Sequence, residues 1–401
     1  MLSLEAAREQ ILSAIRPLHA DLVPLTQTAC RWLAADLASP LDLPPFDNSA
    51  MDGYAVQSAG LLQASSGNPT PLRCRGEIPA GGVPGPALAA GECWRIFTGA
   101  PLPAGADAVV MQEDTRIDPA QPETVWVQDA VRPWDNVRFR GEDLKAGAVI
   151  ARSGERLNFA KLAVLGAVGL DKISVTRRLV VGLLATGNEL VEPGGELASG
   201  QIFESNRLMI DALVRTTGCE PVIYPIVRDE PDATRTALAE AFARCEVVIT
   251  TGGVSVGAHD HVKAAFENLG GQLEFWKIAI RPGKPFVWGR LRERNLFGLP
   301  GNPVSAAVTF LLLVRPALIR LQGGTDWNLP VTKATLASPV SNPGQRRHFV
   351  RVRMDELGGA VPVGLQGSHV LSGLAEAHGL LDVPPATNWE SGRPVEVLRF
   401  P

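Results

Sequence analysis

Apolar and polar positions change their spacing several times along this chain, and each change marks a boundary. Over residues 1–16 the apolar side chains recur at helical spacing with charged breaks at Glu5, Arg8 and Glu9, which predicts an amphipathic helix unlike a signal peptide. A second helix is expected over 25–37, with Thr26 or Thr28 capping its start. From 44 to 143 short strand-like runs at 94–97, 108–112 and 124–128 lie between Pro/Gly turns, which predicts a small β-rich domain. A helical run at 158–168 with flanking strands follows. Segments 1–43 and 144–176 are expected to pack together as one discontinuous helical/β linking domain. Within 177–324, apolar runs at 179–185, 221–227, 246–250, 273–278 and 296–299 alternate with helical stretches at 206–217, 232–244, 259–269 and 304–321. That order predicts a doubly wound, mostly parallel α/β domain. Strand-like alternation at 348–354 and 395–400 makes 325–401 a second β-rich domain. The fold class is therefore multidomain α/β.

Length and composition agree with that partition. The 401 residues, 45% hydrophobic and 20% charged, are enough for two to three cores at about 150 residues per domain. Net charge is −4, from 38 basic and 42 acidic residues without a long run of either sign, which gives no nucleic-acid-binding face. The five cysteines are odd in number and lack C-x-x-C spacing, which argues against a disulfide framework or zinc site and suits the cytoplasm. The longest apolar run, 304–321, is interrupted by Arg315 and Pro316 and reads as a buried core helix, not a membrane span.

Candidate chemistry starts with Pro-Pro-Phe-Asp-Asn-Ser-Ala-Met-Asp-Gly-Tyr-Ala-Val at 44–56. Two carboxylates, an amide and a hydroxyl stand in apolar surroundings, and such groups need partners or a ligand. The residues alone fit either a rigid turn entering a strand or a binding loop. In the α/β segment, three strand ends run into glycine-containing turns: Thr186-Gly187-Asn188-Glu189, then Thr251-Gly252-Gly253-Val254-Ser255-Val256-Gly257, then Pro300-Gly301-Asn302-Pro303-Val304-Ser305. Ligands of open α/β sheets bind at the carboxyl ends of the strands, and such turns favour phosphate. None matches a Walker A loop or a G-x-G-x-x-G fingerprint, which disfavours a nucleoside triphosphatase or a Rossmann dehydrogenase. Lys277, Arg281 and Lys284 lie close together in an otherwise apolar stretch; they either pair with acids of the sheet or receive an oxyanion. Glu189, Asp229 and Asp260, with Asp52 and Asp143 in the β-rich segment, supply carboxylates of the kind that hold Mg²⁺ beside phosphate. His259 and His261 point apart at a helix start and read as structural.

Together these motifs resemble the molybdopterin molybdenumtransferases, the MoeA and gephyrin E-domain family. The likeness runs in order through 44–56, Arg95-Ile96-Phe97-Thr98-Gly99-Ala100-Pro101-Leu102-Pro103, 108–113, Arg138-Phe139-Arg140-Gly141-Glu142-Asp143, 186–190, 251–257, 281–286 and 298–305. The turn at 251–257 by itself also resembles the molybdopterin adenylyltransferases. The resemblance implies an elongated, L-shaped homodimer whose α/β domain is of molybdopterin-binding type, with a cleft completed by the β-rich second domain of the other subunit. It implies transfer of molybdate into adenylylated molybdopterin with release of AMP, and a requirement for Mg²⁺. By the same resemblance, Asp52, Asp143, Glu189, Asp229 and Asp260 form the catalytic set, with Glu189, Asp229 and Asp260 as Mg²⁺ ligands. Thr98, Arg138, Gly252, Gly253, Ser255, Lys277, Arg281, Lys284, Pro300, Gly301, Asn302, Pro303 and Arg346 bind substrate. Arg347 or Arg351 are alternatives to Arg346. Arg281 stands where relatives often carry lysine, and Gly257-Ala258-His259-Asp260 departs from the acidic residue many place straight after the glycine. Molybdopterin adenylyltransferase and molybdoenzyme-maturation proteins are the implied partners, with no nucleic acid and no membrane. A molybdopterin adenylyltransferase or a gephyrin-like scaffold are the alternative functions.

Overall fold

The computed structural model describes residues 1–253 and 261–401. Two compact units emerge: Met1–Ala35, Ser153–Asn158 and Lys172–Pro401 form the larger, and Asp36–Arg152 with Phe159–Asp171 the smaller.

In the larger unit a six-stranded sheet runs in the spatial order Glu220–Ile223, Val180–Ala185, Val247–Thr251, Arg294–Leu299, Pro285–Leu291, Gln272–Lys277. The first four strands are mutually parallel and the last two pair antiparallel. Strand Pro285–Leu291 had no counterpart among the expected runs, because its start merges with the cationic stretch that precedes it. The central strands are buried on both faces, as parallel strands covered by helices must be. One face packs against Ile210 and Val214 of helix Asn206–Thr216, against the N-terminal helix, and against the long apolar helix. The other takes Leu238 and Phe242 of helix Pro231–Arg244, and Phe266 of helix Val262–Asn268. Helix Pro231–Arg244 starts with proline at its first turn beside Asp232 and ends on Arg244, the polarity that free amides and the helix dipole favour.

Helix Leu4–Ala14 is capped by Ser3, whose side chain accepts from the Ala6 amide at 3.1 Å, and it buries Leu4, Ala7 and Ile11. The helix expected over 25–37 does not form. That stretch holds only a three-residue 3-10 turn, Leu25–Gln27. Cys30 takes a left-handed φ of 62°, which ends any helix there. Trp32 and Leu33 instead bridge to Arg156 and Val175, so strand pairing with distant residues overrides local propensity. The run at 304–321 is helical from Pro303 to Leu321, with a π-helical turn over Phe310–Val314. Pro316 has no N–H to donate to the Leu312 carbonyl, and the ladder widens just before it. Apolar enough in length and composition to cross a membrane, this helix is 89% buried within the fold.

Strands Arg347–Met354, Gly359–Pro362, Val331–Leu336, Pro394–Arg399 and Gly379–Val383 close into a barrel, since the last pairs back onto the first. Its interior holds Leu336, Val350, Val352, Leu381 and Val397. Strand Ile280–Arg281 adds to Arg347–Met354 in parallel, placing Arg281 opposite His348.

The smaller unit carries its own six-stranded sheet, in the order Ala108–Met111, Gly53–Val56, Glu92–Ile96, Thr70–Ile78, Gln121–Val127, Thr115–Asp118. Gly53 is required by close approach: a Cβ there would lie 1.9 Å from the Val110 carbonyl oxygen.

Candidate functional site

Register places the three turns of the α/β sheet at one level, because Ala185 pairs with Thr251 and Thr251 with Leu299. A cavity of about 700 Å³ opens there. It is lined by Thr186 and Glu189 of the first turn, Gly252 and Gly253 of the second, and Pro300, Gly301, Asn302 and Pro303 of the third. Gly252 and Gly253 have φ of +82° and +63°, and a Cβ on either would come within 2.7 Å of Thr186. Glycine at both positions is therefore demanded by conformation and by space. A Cβ on Gly301 would lie 3.9 Å from the Gly252 Cα, so the second and third turns touch.

Several amides of these turns are already engaged, those of Thr186, Gly187 and Asn188 in the first turn among them. Gly252 N–H donates to the Leu299 carbonyl at 3.2 Å, and Val304 N–H to the Ser368 carbonyl at 3.1 Å. Two side-chain atoms are left open. Thr186 Oγ1 and Asn206 Oδ1 are buried without a partner and both residues line the cavity. Asn206 is held in place by its own Nδ2, which donates to the Gly301 carbonyl at 2.7 Å. Buried polar atoms without partners are costly, and a ligand that satisfies them binds the better for it.

Asn206 belongs to a polar cluster that sequence reading took only as a helix start. Arg207, 4% exposed at its side chain, reaches Glu204 at 3.2 Å and Glu192 at 2.7 Å, and donates to the Tyr224 carbonyl. The signal was the uninterrupted run Glu204-Ser205-Asn206-Arg207 between two apolar patterns. Ser368 and His369 were also missed; they come from the C-terminal part of the larger unit, where Asn302 Nδ2 donates to Ser368 Oγ at 3.1 Å and His369 lines the cavity.

The expected acids behave differently from one another. Glu189 is exposed at the cavity wall. Asp229 does not line the cavity; its carboxylate accepts from the Asn188 amide at 3.3 Å while its own amide donates to Asn188 Oδ1 at 3.2 Å. Ser255, His259 and Asp260 lie outside the described residues. Among the described residues no three His, Cys, Asp or Glu side chains come together as a ready metal site. Glu189 and Asp229 nonetheless offer hard oxygen donors on neighbouring strand ends, which suits Mg²⁺ shared with phosphate oxygens.

Among the described residues Lys277, Arg281 and Lys284 form no ion pair with a carboxylate, so the sheet's own acids do not account for them. Lys277 rests over the Trp276 ring at 5.1 Å, and Pro285, next to Lys284, lines the cavity. Of the C-terminal arginines, Arg347 is tied to Asp382 and Glu5. Arg351 is buried against the carbonyls of Leu365, Gly367 and Val370. The Arg346 side chain donates to the Ile280 carbonyl at 3.0 Å and, among the described residues, pairs with no carboxylate. Burial, with Arg281, Arg346 and Arg351 facing it, lowers the His348 pKa to about 4, and neither ring nitrogen has a partner.

In the smaller unit, Asp52 is exposed and its carboxylate accepts from the amide and the hydroxyl of Thr98, both at 2.8 Å. These bonds hold its pKa below the ordinary carboxylate value. Arg138 and Asp143 are exposed, the former in a two-residue strand paired with Asn48–Ser49. Much of segment 44–56 satisfies itself: Asp47 accepts from the Arg140 amide at 2.7 Å, and Ser49 donates to the Met51 carbonyl at 2.5 Å. These bonds are those of a turn entering a strand, and the carboxylates of Asp47 and Asp52 are both exposed.

Models of the MoeA N-terminal region (domain I and II), the probable molybdopterin binding domain and the MoeA C-terminal region (domain IV) match residues 2–169, 182–320 and 333–400. The molybdopterin molybdenumtransferase of Haemophilus influenzae is 38% identical over 384 residues, covering 94% of this chain and 93% of that protein. Molybdopterin molybdenumtransferase 2 of Mycobacterium tuberculosis is 38% identical over 381 residues, with the same coverage. A crystal structure of the molybdopterin biosynthesis MoeA protein from Pyrococcus horikoshii OT3 superposes with a TM-score of 0.83 at 30% identity, covering 100% of each chain. Likeness of this extent, in sequence and in fold, favours neither an adenylyltransferase nor a pure scaffold: the chain belongs to the MoeA-type molybdopterin molybdenumtransferase family of enzymes.

Proposed function

We propose that this chain inserts molybdate into adenylylated molybdopterin with release of AMP, and that it does so at the cavity where the three turns of the α/β sheet meet. The observation that carries this reading is that cavity: about 700 Å³ in volume, the size of a small-molecule site, with Thr186 Oγ1 and Asn206 Oδ1 buried and unpartnered in its lining residues. A pterin edge rich in N–H donors suits both atoms. Lys277, Arg281, Lys284 and Arg346, free of carboxylate partners, serve as the reception for phosphate and molybdate oxygens, lysine as point charge and arginine as fork. Glu189 and Asp229 would hold Mg²⁺, which when bound neutralises charge on the phosphoanhydride oxygens as it breaks. Asp52, kept ionised by Thr98, supplies a fixed negative charge or proton acceptor, with Arg138 and Asp143 as further polar contacts. A cytoplasmic homodimer belongs to the same reading; sedimentation of the purified chain tests the dimer.

The test is AMP release from adenylylated molybdopterin with and without Mg²⁺ and molybdate. Release that needs both is the expected result, and Glu189→Gln or Asp52→Asn lowers it by at least about 100-fold with unchanged circular dichroism. Substrate that binds without ever being cleaved, or near-normal activity in both variants, overturns the assignment.

A further inference from the structure

Strands Thr70–Ile78 and Glu92–Ile96 of the smaller unit run parallel, with Cys74 directly opposite Cys93. Neither residue has a part in the reaction above. Neighbouring strands lie about 4.8 Å apart, inside the Cα separation of about 4.4–6.8 Å that a disulfide spans. Both side chains are on one face: Cys93 is fully buried in the core cluster with Tyr54, Val56 and Leu72, and Cys74 packs against that cluster while still partly exposed. The register shifts by a bulge immediately after Cys74, so the backbone there is not locked into a regular ladder.

We propose that Cys74 and Cys93 are a redox modification site, closed to a reversible disulfide by a peroxide-class oxidant that reaches Cys74 first. Cys74 thiolate attacks a peroxide oxygen; the S–O bond forms, the O–O bond breaks, and the departing oxygen leaves as water after taking a proton. Cys93 then loses its proton and attacks the Cys74 sulfur, forming S–S and breaking S–O with release of a second water. The sulfur pair gives up two electrons and the peroxide receives them.

Local electrostatics support that order. The Cys93 thiol beside it, with the Arg95 charge, outweighs burial and lowers the Cys74 pKa to about 6, although the protonated Cys74 thiol can donate to the Gly76 carbonyl at 3.4 Å. The neighbouring Cys74 sulfur, with burial, pushes Cys93 upward. Cys74 is thus the more readily ionised sulfur, and Cys93 keeps its proton until the first sulfur is oxidised to a neutral acid. Cys30 is exposed and Cys219 and Cys245 are buried, and neither strand pairing nor side-chain hydrogen bonding brings any of the three to another cysteine.

The experiment is a hydrogen peroxide titration of the reduced full-length protein, read by mass spectrometry of peptides cut by a protease that spares arginine, which flanks Cys74. A 74–93 cross-linked peptide that reverts with dithiothreitol is expected. Cys74 should react at least about tenfold faster than Cys30. In Cys93→Ser, Cys74 stops at a sulfenic acid captured by dimedone; in Cys74→Ser, Cys93 stays reduced. Oxidation of Cys74 to sulfinic acid without a 74–93 link in the unsubstituted protein overturns the proposal, as does oxidation of Cys30 ahead of Cys74. Because the decisive readout is on the unsubstituted protein, a variant that fails to fold does not blunt it.

Discussion

Acidification should destabilise the larger unit through one imidazole. His348 is 5% exposed, both its nitrogens lack partners, and burial together with Arg281, Arg346 and Arg351 lowers its pKa from the ordinary 6.5 to about 4. The unfolded chain therefore takes up a proton between 6.5 and 4 that the folded chain refuses. A depressed folded pKa means that the stabilisation is complete above pH 6.5 and is lost as pH falls toward the folded value. At about 1.4 kcal/mol for each pH unit the full loss is about 3 kcal/mol, and about 2.5 kcal/mol of it is reached by about pH 4.5. His348→Gln removes the titration while keeping a comparable polar side chain. Urea unfolding of both proteins at about pH 7 and 4.5 should show the unsubstituted protein losing about 2–3 kcal/mol more than the variant over that interval. The NMR titration of the His348 ring should have its midpoint near 4 in the same protein. Equal losses in the two proteins, or a midpoint near 6.5, would refute the reasoning. If Arg281 and Arg346 receive an oxyanion, molybdate should raise that midpoint by shielding the imidazole from their charge; a midpoint that ignores molybdate separates His348 from the anion site.

Gly53→Ala should destabilise the smaller unit by about 3 kcal/mol, the upper end for overpacking, because the added Cβ meets backbone and not a movable side chain; an unshifted melting transition would show that the strand pair yields. Arg207→Met should cost about 3–5 kcal/mol by leaving Glu204 buried without its cation. Adding Glu204→Gln to it should restore much of that loss, and denaturant midpoints of the single and double variants that coincide would mean that the pair is not coupled. Thr98→Val should raise the Asp52 pKa by removing the hydroxyl donor, read by carboxylate NMR; an unmoved pKa would leave the amide as the whole cause.

Periodicity located most of the α/β strands and helices because fully buried parallel strands leave apolar runs that local spacing reports. It failed at 25–37, where Trp32 and Leu33 pair with residues more than a hundred positions away, and at Pro285–Leu291, whose start merges with the cationic stretch before it. The glycine turns were legible for a related reason: Gly252 and Gly253 are positions where a side chain has no allowed place. Which of three arginines stays free was not legible, since Arg346, Arg347 and Arg351 share charge and neighbourhood along the chain and differ only in what the fold puts beside them.

The sequence by itself determined the family, the alternation of elements and the residue types at the strand ends, since those follow from local spacing and from chemistry each residue carries alone. Tertiary structure decided the rest. It set the three turns at one level through strand register, left Thr186 Oγ1 and Asn206 Oδ1 without partners, tied several turn amides to backbone carbonyls, and placed Cys74 against Cys93. Each of these depends on the distance between groups far apart in the chain, and that distance exists only once the core has closed.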